Sequence, residues 1–554
     1  MFKLKITVWQ LNNGIKMIRI IFFIISLVAI YDAGLASVSP LLNQIHNNLL
    51  SKFQNDVLIG HLNEKNLQLT KFYKRNNFKP QWITEDGPIP AVFVLLETIK
   101  QSDVEGLEPK DYMKKILIIE GLIRSPYTFQ SLSSLEVLVT ELTMDYIDDL
   151  FGERLNPKKV SPLLYLNPSP IDASEVLHKE IENDSSGQWL KKLTVNHIHY
   201  QVLKNMLAYY RSLLKQGNWV TITPPKSFKN FQENFLLVSQ LQAVLKQYKI
   251  YQAELNGIFD IKTKQALINF QKLFGQEPDG LLGPETLKAL NTSLQERIKQ
   301  IIVTMERWRW FPLDIKEKYI IVNIAGFTLT GYKNQQEVLH MPIIIGQKLR
   351  KTPVFSSSIS EIRFNPIWYV PRSIAIKDKL PLLKENPHLL ATKGYTVRDR
   401  VGNIIDPTKI NWTEISASDF PFSLVQAPGA INALGRIFFN IQSPFGIFLH
   451  DTPDAHLFKK AKRNFSSGCI RVASPIDLSL FILKDHQDVN FEFVQNKIDN
   501  NETSSIHLSK PIPVHITYLT VWFDKEGQYH FADDIYDLDQ VIWDALQRRT
   551  QMLK

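Results

Sequence analysis

The sequence predicts an α+β multidomain protein, helical through its first half and mainly β across a region near residues 300–498. Three observations carry this. At 554 residues the chain is too long for a single core. Residues 235–293 show helical periodicity interrupted by Gly- and Pro-marked turns. Tyr319-Ile320-Ile321-Val322-Asn323-Ile324 instead carries strand-type patterning, in a region punctuated by Gly and Pro. A hydrophobic content of 44%, with 11% aromatic residues, supplies packed cores and argues against general disorder.

The first 36 residues read as a targeting segment. Lys3, Lys5, Lys16 and Arg19 lead into the apolar run Ile20–Ile30, followed by Ala33-Gly34-Leu35-Ala36. That run is short for a membrane span and suited to a signal-peptide core, with cleavage expected after Ala36. An uncleaved N-terminal anchor is the alternative. Removing the segment lowers the net charge from +9 to +6. A surplus so thinly spread fits an acidic wall polymer or an ordinary Lys-rich surface, and it lacks the basic clusters of a nucleic-acid binder.

Residues 40–230 are helix-rich and hold no catalytic constellation, so they are expected to act as a scaffold. In 235–293, Gln240–Tyr248, Thr263–Phe270 and Pro284–Leu290 read as three helices, with Asp260 as a cap and Pro284 at a first helical position. Within the β region, residues 372–425 interrupt the pattern. Ile374–Leu383 has helical spacing and Ile404–Asp419 is polar and loop-like, as in a capping insertion or a surface excursion. The tail, 510–554, reads as a β-hairpin with a helix: Val514, Ile516 and Tyr518 alternate, and Asp524-Lys525-Glu526-Gly527 turns the chain.

The chain has one cysteine, Cys469. In an oxidising compartment a lone thiol is buried and inert, paired between chains, or chemically used. Its surroundings favour use. Phe445–Leu449 reads as a strand that His450 closes before an Asp451-Thr452-Pro453 turn. After a spacer of fifteen residues come Ser466-Ser467-Gly468-Cys469-Ile470-Arg471-Val472. A thiol with a free pKa of about 8.5 needs a base near neutral pH, and a histidine at a strand end can supply it. Gly468 allows a tight turn whose amides could face an oxyanion. Arg471 alternates away from Ile470 and offers a forked donor to a carboxylate. Asp451, adjacent to His450 on a strand, points to the other face, so a backbone carbonyl is the expected partner that orients the imidazole. Ser474-Pro475-Ile476-Asp477 should open a helix.

His450, the spacer and Ser466–Val472 resemble the catalytic signature of L,D-transpeptidase domains of the YkuD type. Ser467 stands where many members carry a second histidine, a departure shared with the large YcbB-like members. Met305–Trp310, Asn323-Ile324, Lys351–Phe355, Phe364–Pro371 and Gln426–Arg436 are similar to those members too, as are Phe72–Arg75, Pro80–Trp82 and Ser102–Leu107. Residues 235–293 resemble a three-helix peptidoglycan-binding domain. The resemblance implies a helical N-terminal scaffold, that binding module, and a mainly β L,D-transpeptidase domain over 300–498 with a flap at 372–425. It implies Cys469 as nucleophile, His450 as general base and acid, and the Gly468 backbone at the oxyanion. Arg471, Ser467, Asn432 and Gln426 become candidate substrate contacts.

The implied reaction is 3–3 crosslinking of peptidoglycan stems through a thioester, with carbapenem sensitivity and without metal or organic cofactor. Its partners are donor and acceptor tetrapeptide stems and other wall-synthesis proteins, with no nucleic acid and membrane contact only through an uncleaved N-terminus. The implied location is the periplasm. Two rivals share these residues: a thiol L,D-carboxypeptidase and a non-catalytic wall-binding protein. The sequence lacks His-Glu-x-x-His, Cys-x-x-Cys and Gly-x-Ser-x-Gly motifs, which leaves zinc-enzyme and serine-hydrolase readings without support.

Overall fold

The computed structural model describes residues 40–59, 64–168, 171–217, 219–312, 316–485 and 489–553. The expected targeting segment lies outside them. Among the described residues no helix is long and apolar enough to cross a membrane.

The chain divides into two units. The first, formed by the described residues of 40–101 with 109–148 and 171–193, is helical, with long members at Pro40–Ile59, Lys110–Arg124 and Phe129–Leu150. Its core is organised around a buried carboxylate. Glu136 accepts bonds from the backbone N–H groups of Gln81 and Trp82, each at 2.9 Å, and from the Tyr73 hydroxyl at 3.2 Å. Trp82 donates its indole N–H to Thr140 at 2.8 Å. Burial pushes the Glu136 carboxyl up to about 7. The Phe72–Arg75 and Pro80–Trp82 stretches therefore meet at one polar point inside an apolar core.

The second unit holds everything else. Its helical module consists of Phe235–Gln247, Ile261–Leu273 and Pro284–Leu290. Asp260 caps the second helix, accepting the Thr263 N–H at 2.8 Å, and Pro284 starts the third. The module is built as two similar halves. Gln242 is fully buried and takes the Gly257 N–H on its carbonyl while its amide donates to Asn256, Ile258 and Thr263. Gln271 does the same with the Gly280 N–H and with Asp279, Leu281 and Thr286. Each glutamine thereby holds an Asx-Gly turn against the start of the following helix. Leu241, Leu245, Phe270 and Leu290 share one hydrophobic cluster with Leu203 and Leu207 of the helix Ile198–Gln216 and Ile301 of Leu294–Arg309.

The β region is a nine-stranded mixed sheet. In spatial order it runs Ile437–Ile441, Leu449–His450, Ile470–Val472, Gln336–Ile344, Thr328–Lys333, Lys318–Asn323, Ser504–Thr517, Val354–Phe364 and Leu164–Tyr165. Ile437–Ile441 also pairs with Val354–Phe364, which closes the sheet on itself. Residues 504–517 correct the expectation of a tail hairpin. They form a strand paired on both edges, parallel to Lys318–Asn323 and antiparallel to Val354–Phe364. Val514 and Ile516 face one core while His515 and Thr517 are buried on the opposite side, as a central strand requires. The hairpin is confined to Val521–Phe523 and Tyr529–Phe531, with its turn at Asp524–Gly527 as the sequence suggests.

Residues 372–426 form a subdomain with its own small core of Leu380, Leu383, Tyr395, Val397, Trp412 and Phe420. Its helix is continuous from Arg372 to Glu385 but passes through a π-turn at Ala375–Lys379. Tyr395–Arg398 and Ser423–Gln426 join Trp368–Tyr369 in a separate four-stranded sheet. Ser474 occupies the N-cap of Pro475–Leu483, but its side chain makes no cap bond.

Candidate active site

Two very short strands bring histidine and cysteine together. Leu449–His450 runs parallel to Ile470–Val472, with Leu449 opposite Ile470 and His450 opposite Arg471. Leu449 and Ile470 are fully buried in the main core. Alternation then places His450 and Arg471 on the other face. Cys469 immediately precedes Ile470–Val472, two residues before Arg471, the residue that pairs with His450.

His450 is 5% exposed. Its Nδ1 lies 2.6 Å from the Asp451 carbonyl oxygen, so Nδ1 carries the hydrogen and Nε2 is left as an acceptor. Burial, with the Arg471 charge beside it, pushes the imidazole down to about 4, so it is neutral at physiological pH. The Asp451 carboxylate is committed elsewhere, accepting the backbone N–H groups of Arg436 and Thr452 at 2.7 Å each. Gly435 makes room for it: its φ is +64°, and a Cβ there would collide with that carboxylate.

Cys469 is half-buried, its Sγ 3.7 Å from the Gly446 carbonyl oxygen. Burial pushes the thiol up, against weaker pulls from the Phe448 backbone and the Arg471 charge. The preceding turn is held from below. Ser466, buried, donates its hydroxyl to the Cys469 carbonyl at 2.5 Å and accepts the Gly468 N–H at 3.1 Å. That bond corrects one expectation: the Gly468 amide is already used inside the turn. Among the described residues the Ser467 and Cys469 N–H groups on either side of it donate to no protein acceptor. Gly468 serves through its conformation, at φ +125°, which a side chain rarely adopts.

A brace unassigned from the sequence lies under this turn. Thr352, fully buried, donates to the Gly468 carbonyl at 2.7 Å and accepts the Gly346 N–H at 3.0 Å. The Tyr536 hydroxyl accepts the Thr352 N–H at 3.2 Å and donates to the Gly346 carbonyl at 2.5 Å. A Cβ on Gly346 would run into the Arg350 carbonyl, so only glycine lets these segments approach. Replacing Thr352 by valine keeps the shape and removes both bonds. The expected outcome is a stability loss of about 1–3 kcal/mol and a roughly tenfold fall in kcat. Urea unfolding and steady-state turnover check this, and an unchanged kcat would remove the brace from the catalytic geometry.

The remaining candidates fall into two groups. Arg471 pairs with Asp454 at 2.9 Å and Thr452 at 3.3 Å, while its Nε is buried without a partner. Ser467 is exposed and accepts from Arg350 at 2.7 Å; Arg350 in turn grips both carboxylate oxygens of Asp378 at 2.6 Å each. Asn432 and Gln426 are not exposed contacts. They are 0% and 2% exposed, and their amides are spent on loop backbone. Gln426 binds the Lys393 and Ile431 carbonyls and the Ala433 N–H, each at 2.8 Å. Asn432 binds the Pro366 and Ala427 carbonyls at 3.0 and 2.9 Å and accepts the Leu434 N–H. Both hold the loop that delivers Ile437–Ile441 beside His450. The spacer between histidine and cysteine also reaches the helical module, through the Ala461 N–H to Glu277 and Lys462 to Glu285.

Comparison with known proteins finds family matches over three stretches of the chain. Residues 67–207 match a family model described as a scaffold domain, 236–290 one described as a "Putative peptidoglycan binding domain", and 317–487 the YkuD model, described as an L,D-transpeptidase catalytic domain. A protein of Haemophilus influenzae named "Putative L,D-transpeptidase" is 32% identical over 303 residues, covering 52% of this chain and 60% of that protein. The chain thus spans about three-fifths of the length of that curated relative. Solved structures of an L,D-transpeptidase from Mycobacterium smegmatis and of L,D-transpeptidase 3 from Mycobacterium tuberculosis align at 11% and 14% identity. Each alignment has a TM-score of 0.18 and covers 36% of this chain, with 58% and 61% of the respective structures.

Proposed function

We propose that this chain, which carries regions matching an L,D-transpeptidase catalytic domain and a peptidoglycan-binding domain, forms 3–3 crosslinks between peptidoglycan stem peptides through a Cys469 thioester. The observation that carries the reading is a neutral imidazole, hydrogen-bonded through Nδ1, on a strand paired with the one that the Cys469 turn leads into.

Attack begins as the Cys469 sulfur bonds to the carbonyl carbon of the donor's third residue and His450 Nε2 takes the thiol proton. The Cys469 N–H is the fitting donor to the resulting oxyanion, an interaction worth about 3 kcal/mol in such sites. The carbon–nitrogen bond to the terminal D-Ala breaks, and its amine leaves with the proton from His450. The side-chain amine of a second stem then attacks the thioester while His450 takes its proton. The carbon–sulfur bond breaks, and the thiolate recovers that proton from His450. The chemistry uses no group beyond these residues. The helical module would hold the polymer and the scaffold would contact other wall-synthesis proteins, in the periplasm.

The test is incubation of the purified protein with a disaccharide-tetrapeptide and mass spectrometry of the products. Crosslinked dimers that disappear in Cys469→Ala are the expected result. Tripeptide alone would replace the transferase with an L,D-carboxypeptidase, and products surviving in Cys469→Ala would remove the cysteine mechanism. A carbapenem adduct on Cys469 is expected in the intact protein and absent from the variant.

A further inference from the structure

Several cations stand on the capping subdomain and the catalytic face, and their partners are unevenly distributed. Arg350 is satisfied by two bonds to Asp378 and one to Ser467. Arg471 has Asp454. Lys379 follows Asp378 directly in the π-turn, yet its neighbour's carboxylate is turned to Arg350. Among the described residues the Lys379 ammonium has no ion pair or hydrogen bond. It is half-buried over two aromatic faces, 4.9 Å from the Tyr395 ring centroid and 6.0 Å from that of Trp368.

Those rings form a platform. Trp368, Gln426 and Tyr395 occupy one cross-strand row of the small sheet, since Gln426 is opposite Trp368 on one side and Tyr395 on the other. The Trp368 and Tyr395 centroids are 6.0 Å apart. The platform adjoins the catalytic face. Asp378, next to Lys379, holds Arg350 at 2.6 Å, and Arg350 donates to Ser467, two residues before Cys469, at 2.7 Å; Lys379 also feels the Arg471 charge. Burial together with the Lys393 and Arg471 charges pushes the Lys379 ammonium down from its usual value. A half-buried cation with aromatic walls, whose adjacent Asp378 carboxylate is bound directly to Arg350, is stabilised by an incoming anion.

We infer that Lys379, standing on the Trp368–Tyr395 platform beside Arg471, is a carboxylate-binding subsite that selects acidic stem peptides for reaction at Cys469. The inference rests on the proposed activity and adds to it a specificity-determining residue on the capping subdomain. Arg471 retains Asp454, so Lys379 makes the new ion pair and Arg471 contributes its field. The occupant is a free carboxylate on the bound peptide, and amidating that group removes the charge the subsite reads.

The experiment is a cycle of enzyme variant against substrate charge. Two tetrapeptide donors, one with its free side-chain carboxylates and one with them amidated, are compared on the full-length protein. Their kcat/KM is measured, and their Kd is determined separately by calorimetry on Cys469→Ala. The intact protein should prefer the acidic donor about tenfold, the worth of one charge-assisted hydrogen bond. Lys379→Met, which keeps the apolar stem over the rings, should erase that preference, and Lys379→Arg should retain it. A full preference persisting in Lys379→Met overturns the subsite, as does its loss in a folded Lys379→Arg. Calorimetry separates the two levels of the argument. A protein that turns over no stem peptide refutes the proposed activity, whereas equal binding of acidic and amidated donors refutes the subsite.

Discussion

His450→Gln is expected to lower kcat/KM about a thousandfold, the usual contribution of a positioned general base, with little change in peptide Kd. Glutamine can still donate to the Asp451 carbonyl, so the loop survives while the basic Nε2 is lost. The resting state makes the loss large. Burial pushes the imidazole down to about 4 and the thiol up, so both partners are neutral before substrate arrives. No preformed thiolate remains to act when the base is removed. The same shifts predict a pH profile of kcat/KM in which the acid limb lies near 4 rather than near 6.5. Stopped reactions with a chromogenic β-lactam, quantifying Cys469 acylation across pH, check both statements. An acid limb near 6.5, or a His450→Gln variant acylated at the normal rate, would show that the thiol is activated by another group.

Acid should also unfold the second unit early. His197, His199 and His515 are buried histidines pushed down to about 4, about 3 and about 4 by desolvation, and His450 behaves alike. His197 and His199 stack on Trp308 with centroids 4.2 and 5.2 Å away, and His515 packs 4.6 Å from Phe311. An unfolded histidine takes its proton near 6.5, well before the folded one does. Stability is therefore complete above 6.5 and falls as pH drops from 6.5 towards 4, by up to about 1.4 kcal/mol per pH unit for each group. Guanidinium midpoints at pH 7.5, 6 and 4.5 should decline steeply. His199→Phe, which fills the same aromatic stack without a titrating nitrogen, should flatten the decline. An unchanged midpoint across that range would refute the account.

What the sequence made legible was whatever is written locally. The thiol, its base, the spacer and the glycine turn lie within twenty-odd residues, and helix caps such as Asp260 and Pro284 announce themselves. The expectation that a backbone carbonyl orients His450 also followed from strand alternation alone, and the Asp451 carbonyl is found there. What escaped was assembled across distance. Thr352 reaches Gly468 over 116 residues and Tyr536 reaches Gly346 over 190. No periodicity encodes such meetings. Asn432 and Gln426 were misread for a related reason: amides near a catalytic motif look available for substrate until the carbonyls they bind are known. The alternation of Val514, Ile516 and Tyr518 suggests one arm of a hairpin because alternation reports a strand without reporting its neighbours.

The histidine strand and the strand that follows the cysteine span two and three residues. Segments so short cannot hold a register by themselves, and theirs is imposed by a sheet whose closure depends on Val354–Phe364 lying between its partners. One of those partners, Ser504–Thr517, follows every catalytic residue in the chain. The register that the catalytic segments depend on is thus completed last along the chain, by a strand that carries no catalytic residue.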